Sequence, residues 1–276
     1  MRVAVTGAAG LIGGVVCDRL AAEGHEVIGI DRPFDEWMVA GRNTEDTTAP
    51  SRVTHHFDLA EATNSDWEMM FEDCEVVVHL AADANPSNSD ESMMRNNVLV
   101  STKLMQHAQA SGARRVVLSS SGLVQVGLED ELKSGGILEG QLIGVKHGIS
   151  TTSTYGETKV FVEELGEHYS REQGMECIAV RIGTVIPNED EHWVRGGRLQ
   201  ATAFLQQDVA NFFVAAVEAN YSSWDSNSCE GHPDVAGYLL TAAQSNSPGR
   251  FIDLEPGITA LGWNPISWPS GPENLQ

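Results

Sequence analysis

The chain has 276 residues, 41% of them hydrophobic, and a formal net charge of −22. That suits one large α/β domain with a real core, or one plus a small appendage. The charge argues against nucleic acid as a partner, which needs a basic footprint. No run of about 18 apolar residues offers a membrane span, and no signal-peptide core precedes the first strand, so a cytoplasmic location is expected.

Residues 3–6, Val-Ala-Val-Thr, read as a buried strand that breaks at Gly7. Apolar residues then return at helical spacing, Ile12, Val16 and Leu20. Gly7, Gly10 and Gly13 therefore sit between a strand and a helix. Such glycines supply a tight turn, close backbone approach to a pyrophosphate and close helix-on-strand contact. The helix N-terminus behind them offers free N–H groups to the phosphate. Dinucleotide binding follows from that context.

Gly24 ends the helix, and residues 26–30 form a second strand closing on Asp31. Asp31 lies where such folds bind the adenosine ribose hydroxyls, and its charge repels a 2′-phosphate. NAD is the expected cofactor. Arg32 beside it is of the type that accepts that phosphate, so NADP stays as the alternative.

Residues 32–52 read as a polar loop and 53–57 as a third strand ending at Asp58-Leu59. A short helix over 66–72 precedes a buried strand over 75–80, which opens into Ala81-Ala82-Asp83. The helix over 90–111 buries Met94, Val98, Leu104, Met105 and Ala108, and Gly112 stops it. A fifth strand over 115–118 ends in Ser119-Ser120-Ser121-Gly122. Residues 125–150 are glycine-rich and read mostly as loop over the mouth of a site.

Thr154-x-x-Glu157 forms a capping box that starts a helix running to 173. A sixth strand covers 177–182. Strands alternating with helices mean βαβ units and a Rossmann-like, doubly wound parallel sheet. The sheet is expected to end after Gly183, giving a dinucleotide-binding domain over 1–185. Residues 186–276, with a helix over 207–219 and then a Ser-, Asn-, Pro- and Trp-rich stretch, form a small C-terminal substrate-binding cap.

Tyr155 and Lys159 stand at i and i+4, one above the other on a helix face. A nearby ammonium favours the phenolate and lets a tyrosine take a proton from an alcohol. Ser121 ends a strand on the side where ligands bind in parallel sheets. Cys17, Cys74, Cys177 and Cys229 are far apart; the first three read as small buried hydrophobes. The histidines are scattered, and adjacent His55 and His56 point to opposite faces of a strand. No metal site is assigned.

Thr6-Gly7-x-x-Gly10-x-x-Gly13, His79-Leu80-Ala81-Ala82, Asn96-Asn97-Val98, Ser119-Ser120-Ser121 and Tyr155-x-x-x-Lys159 resemble the extended short-chain dehydrogenase/reductase superfamily over residues 1–185. The resemblance implies that Ser121, Tyr155 and Lys159 are catalytic. Tyr155 would be the base, Lys159 would lower its pKa and hold the nicotinamide ribose, and Asn97 would support the lysine. NAD contacts are implied for Gly7, Gly10, Leu11, Ile12, Gly13, Asp31, Asp58, Leu59, Leu80, Ala81, Ala82 and Ile182. Tyr155 and Lys159 belong to that set too. Substrate contacts are implied for Asp83, Ser121, Gly122 and Arg198, the last gripping a carboxylate or phosphate bidentately.

Residues 180–183, 198–213 and 261–265 are similar to uronate dehydrogenases and related archaeal NAD-dependent sugar and sugar-phosphate dehydrogenases. The reaction implied is oxidation of an aldose, uronate or sugar phosphate at C1 to the lactone. A region the size of residues 186–276 suits a monosaccharide better than a second nucleotide. Gly122 and Leu123 replace the family's polar pair after the serine, and Ala203 replaces its usual aromatic, which strips polar contacts from the substrate side. Homo-oligomers, usually dimers, are the rule in the family. An NAD-retaining nucleotide-sugar epimerase or dehydratase is the alternative, followed by a non-catalytic dinucleotide sensor. The acidic, lysine-poor composition resembles proteins of salt-loving organisms and equally fits an ordinary acidic enzyme.

Overall fold

The computed structural model describes residues 1–33, 52–132, 138–185, 197–220, 235–266 and 268. Most of the 32–52 loop, Cys229 and the Ser- and Asn-rich stretch after residue 220 lie outside the described residues.

Seven parallel strands form one sheet in the order β3-β2-β1-β4-β5-β6-β7. They are β1 (Arg2–Thr6), β2 (Glu26–Asp31), β3 (His55–His56), β4 (Val76–His79), β5 (Arg115–Ser121), β6 (Glu176–Ile182) and β7 (Tyr238–Ala243). The chain runs outward from β1 through β2 to β3, then crosses to β4 on the other side of β1. That reversal opens a crevice at the carboxyl ends of β1 and β4.

The helices are α1 (Leu11–Ala22), α2 (Asn64–Met70), α3 (residues 90–110), α4 (Thr154–Gln173), α5 (Arg198–Ala201), α6 (Gln206–Glu218) and α7 (Glu255–Leu261). Strand side chains alternate between two cores. Val3, Val5, Val78, Val117, Val180 and Leu239 pack with Val16, Leu20, Phe212 and Phe213 on one face. Ala4, Val77, Val116, Leu118, Ala179 and Leu240 pack with Trp67, Leu104, Met105 and Val162 on the other. Both faces are covered, as an all-parallel sheet requires.

Three local expectations change. The sheet does not end at Gly183: β7 pairs with β6 from Cys177↔Tyr238 to Ile182↔Ala243. Its six residues are all buried, so no alternation marks it as a strand. The cap of α4 is Ser153, whose hydroxyl accepts from Gly156 N–H at 3.2 Å, and Thr154 is already helical. Helix α3 is not uniform: Asp90–Met93 and Val100–Ala110 are α-helical, and Met94–Leu99 between them forms a π turn.

Cys17, Cys74 and Cys177 are free and buried. Burial pushes their thiols up to about 12, about 11 and about 12 respectively. They act as apolar filler, as expected. Arg115, fully buried, donates to the carbonyls of Ala216, Val217 and Ala219 and so satisfies the C-terminal end of α6.

His79, at the end of β4, shares hydrogen bonds with Thr6 Oγ1 at 2.8 Å and Ser101 Oγ at 3.0 Å. Burial first, then the charge of Lys159, lowers its pKa from 6.5 to about 3. A neutral folded histidine that charges on unfolding contributes full stability above the unfolded pKa and loses it as pH falls toward the folded one. This group should remove about 1.4 kcal/mol per pH unit below its ordinary value. Denaturant unfolding at neutral and mildly acid pH should show a steeper acid loss for wild type than for His79→Gln. Equal losses would contradict a neutral buried imidazole.

Candidate active site

The glycine turn is built by crowding. Gly7 has φ +73°, and a Cβ there would lie 2.8 Å from Ala81 N. Its position pins the end of β1 against the end of β4, in a conformation glycine adopts without strain. Gly13 does the close-packing job expected of such a glycine, while the cofactor contact also implied for it finds no place on the crevice wall. A Cβ on it would fall 2.0 Å from Gly7 O, so it seats α1 on the turn and does not line the crevice.

A cavity of about 530 Å³ occupies the crevice. Of the expected cofactor residues, Gly7, Gly10, Asp31, Asp58, Leu59, Leu80, Ala81 and Ala82 line it, with Asp83. Leu11, Ile12, Gly13, Ile182, Tyr155 and Lys159 do not. Sequence reasoning missed Phe57, just after β3, and Asn85, Asn88 and Ser92, from loop 84–89 and the first turn of α3, which no motif marks; Asn96, quoted within a motif but given no role, lines the wall too.

Asp31 accepts from Ala9 N–H and from Arg32 N–H, both at 2.8 Å. Its carboxylate thus ties β2 to the glycine turn as well as facing the crevice. Arg32 lines the same end. Asp58 is held by Arg95 at 2.8 Å, and its carboxyl is lowered: burial opposes, but the Arg95 and Ala60 hydrogen bonds outweigh it. A bare-backbone turn, a helix N-terminus and a carboxylate at the strand end fit a dinucleotide.

Beyond Ala82 the crevice reaches Asp83. Its carboxylate accepts from Asn88 at 2.8 and 3.0 Å, Ser92 Oγ at 2.5 Å and Asn85 N–H at 3.2 Å. Those bonds fix the loop, so Asp83, for which a substrate contact is implied, also has a structural task. Asn97 brackets the same residue, accepting from Asp83 N–H at 2.7 Å and donating to Asp83 O at 3.1 Å. It also donates to Thr158 Oγ1 at 3.0 Å, beside Lys159. The π turn carries Asn97 into this buried position.

Helix α4 lays three turns of one face along the three serines of β5. Ser121 hydrogen-bonds Tyr155. Lys159 Nζ donates to Ser119 O at 2.9 Å. Ser120 Oγ donates to Glu163 Oε1 at 2.5 Å. Lys159 Nζ stands 5.7 Å from the centre of the Tyr155 ring. The structure therefore brings Ser121, Tyr155, Lys159 and Asn97 together.

The electrostatics differ from expectation. The Tyr155 phenol is raised, by burial first and by Asp83, with the Ser121 hydrogen bond opposing. Lys159 is itself buried and pushed down to about 8. For the phenol, burial prevails over the opposing Ser121 hydrogen bond.

Gly122 follows Ser121 directly, and a Cβ there would meet Ile182 O at 3.7 Å, which places these two expected residues side by side. Arg198, expected to grip a substrate anion, has its fork filled by Glu129. Nε donates to Oε2 at 2.8 Å and Nη2 to Oε1 at 2.6 Å.

Fold and crevice together define a dinucleotide-binding α/β protein in which Ser121, Tyr155 and Lys159 gather beside the crevice-lining Asp83. A model of the NAD dependent epimerase/dehydratase family matches residues 3–202, and the chain belongs to that family. It is 29% identical over 276 residues to an L-arabinose 1-dehydrogenase (NAD(P)(+)) of Haloferax volcanii, covering 96% of each chain. It is 27% identical over 208 residues to GDP-mannose 3,5-epimerase 1 of Oryza sativa subsp. indica, covering 74% of this chain and 51% of that protein. A mutant uronate dehydrogenase from Agrobacterium tumefaciens, solved with NAD, superimposes with TM-score 0.70 at 23% identity. That alignment covers 96% of this chain and 84% of the other, and it bears on the fold.

Proposed function

We propose that this chain is an NAD-dependent sugar dehydrogenase that oxidises the C1 hydroxyl of an aldose to the lactone. The observation that carries this reading is the assembly of Ser121, Tyr155 and Lys159 beside Asp83, a residue of the dinucleotide crevice. The near end-to-end match with L-arabinose 1-dehydrogenase supports a sugar as substrate. NAD, when bound, supplies the acceptor for the hydride that leaves C1.

The chain's own residues do the rest. The turn at Gly7 and Gly10 holds the pyrophosphate, and Asp31 takes the adenosine ribose hydroxyls. Ser121 holds the C1 oxygen by hydrogen bond, and Tyr155 removes its proton as general base. Lys159 takes the nicotinamide ribose, and Asn97 supports it by fixing Asp83 and the start of α4. The retained Tyr155 and Lys159 weigh against a non-catalytic sensor. The epimerase relative is matched over only 51% of its length, which favours the dehydrogenase over the nucleotide-sugar reading.

Neutral aldoses, uronates and sugar phosphates, each offered with NAD and with NADP at low and high salt, provide the test. Net reduced cofactor should form from at least one free sugar, with NAD preferred. No reduction from any free sugar, together with isomerisation of a nucleotide-sugar, would replace this reading with the epimerase one.

A further inference from the structure

The Glu129–Arg198 pair joins the two segments that leave the carboxyl ends of β5 and β6, the strands that end at Ser121 and Ile182. Segment Gly122–Leu132 leaves β5 straight after Ser121 and packs on the start of α4. Gly127 N–H donates to Ser150 O at 2.8 Å, and Ser150 N–H to Val124 O at 2.9 Å. A Cβ on Gly156 would come within 3.2 Å of Leu123 O, so the segment lies against Tyr155's own turn. Helix α5 hangs from the neighbouring strand end. Thr184 N–H donates to Thr202 O at 2.7 Å, and Phe204 N–H to Thr184 O at 2.9 Å, just beyond Ile182.

The two segments thus rise from the carboxyl ends of adjacent strands, β5 and β6, beside Ser121. Arg198 closes the gap between them with three hydrogen bonds to Glu129, at 2.6, 2.8 and 3.0 Å. The glutamate side chain is 13% exposed and the arginine 42%. This is the fork-on-carboxylate arrangement with which an arginine recognises a sugar acid. Here the carboxylate belongs to the protein.

Resting on the sugar-dehydrogenase reading, we infer that Glu129 makes this site select uncharged aldoses, because it fills from within the chain the arginine fork that a sugar carboxylate or phosphate would need. An anionic sugar has to displace a paired carboxylate or settle beside one, and like charges across a contact are strongly disfavoured. An uncharged hydroxyl pays neither cost, since it both donates and accepts. Selectivity comes from a built-in repulsive group as much as from attraction.

The test uses L-arabinose, D-galactose and D-galacturonate, which share ring configuration and differ only in the substituent on C5. D-glucose and D-glucuronate form a second matched pair. Wild type should show kcat/KM for the neutral member of each active pair well above that for the acid. Glu129→Gln should raise the acid-to-neutral ratio roughly tenfold or more, the scale of one charge-assisted hydrogen bond. Arg198→Gln breaks the same bridge without freeing an arginine and leaves the Glu129 charge uncompensated, so its ratio should stay at or fall below the wild-type level.

An equal rise in both variants would mean a loosened mouth, and would overturn the inference. So would a wild type that oxidises acid and neutral sugar alike, or an unchanged ratio in Glu129→Gln. Absence of reduced cofactor from every sugar is a separate outcome: it removes the dehydrogenase reading and this inference with it.

Discussion

Tyr155→Phe should lower kcat/KM for sugar oxidation by about 10²–10⁴-fold, the contribution of a positioned general base, while NAD affinity stays within a few-fold of wild type. The substitution removes one oxygen from a residue that is 8% exposed, so packing survives and the proton acceptor does not. Binding is read by calorimetry with NAD alone, turnover by reduced cofactor. The pH profile gives a second check. Burial and Asp83 hold the phenol protonated, and the base form is the phenolate. Wild-type kcat/KM should therefore climb as pH rises above neutral, and the residual rate of Tyr155→Phe should lose that climb. Normal turnover by the variant would remove Tyr155 from the chemistry.

That residue was legible in the sequence because helical spacing alone puts Tyr155 and Lys159 on one face. The glycine turn was legible for a similar reason: strand, glycines and helix are contiguous, and their geometry is local. Buried β-branched runs marked β1, β4 and the core of β5 equally well. What escaped was set by contacts between distant parts of the chain. Nothing in Tyr-Leu-Leu-Thr-Ala-Ala distinguishes the edge strand β7 from a helix, since burial on every residue erases the period. The π turn that delivers Asn97 is one extra residue of winding in an otherwise good helical pattern.

Charged partners escaped most completely. Arg198 and Glu129 are 69 residues apart, and each alone reads as a surface charge. The family resemblance implied an anion receptor at Arg198, and the fold supplies the anion. The same blindness covered His79, whose two hydroxyl partners, Thr6 and Ser101, come from different elements. Motifs report what neighbours in sequence do together. Long-range pairing is set only when the sheet order is known.

Glu163→Gln carries the largest expected effect on stability. Glu163 stands one turn beyond Lys159 on α4 and pairs with Arg181 of β6 through two hydrogen bonds, at 2.8 and 2.7 Å. Both side chains are almost fully buried, at 3% and 5% exposure. The same carboxylate accepts from Ser120 of β5, and the Glu163 carbonyl accepts from Tyr238 of β7 at 2.9 Å. One residue thus joins α4 to three strands, and it fixes the register that sets Tyr155 against Ser121 and Lys159 against Ser119. Arg181 Nη1 already has no hydrogen-bond partner among the described residues, so no spare acceptor compensates its charge. Removing one partner of a buried pair costs about 3–5 kcal/mol, because the other charge is left unpaired. Denaturant unfolding of Glu163→Gln should show a loss on that scale, a large share of a typical domain's stability. The double variant Glu163→Leu with Arg181→Met should recover most of it, since an apolar pair of similar volume avoids both desolvation costs. A single variant within about 1 kcal/mol of wild type, the range of an exposed pair, would mean that water reaches Arg181 and that α4 is held on β5 by its apolar contacts alone.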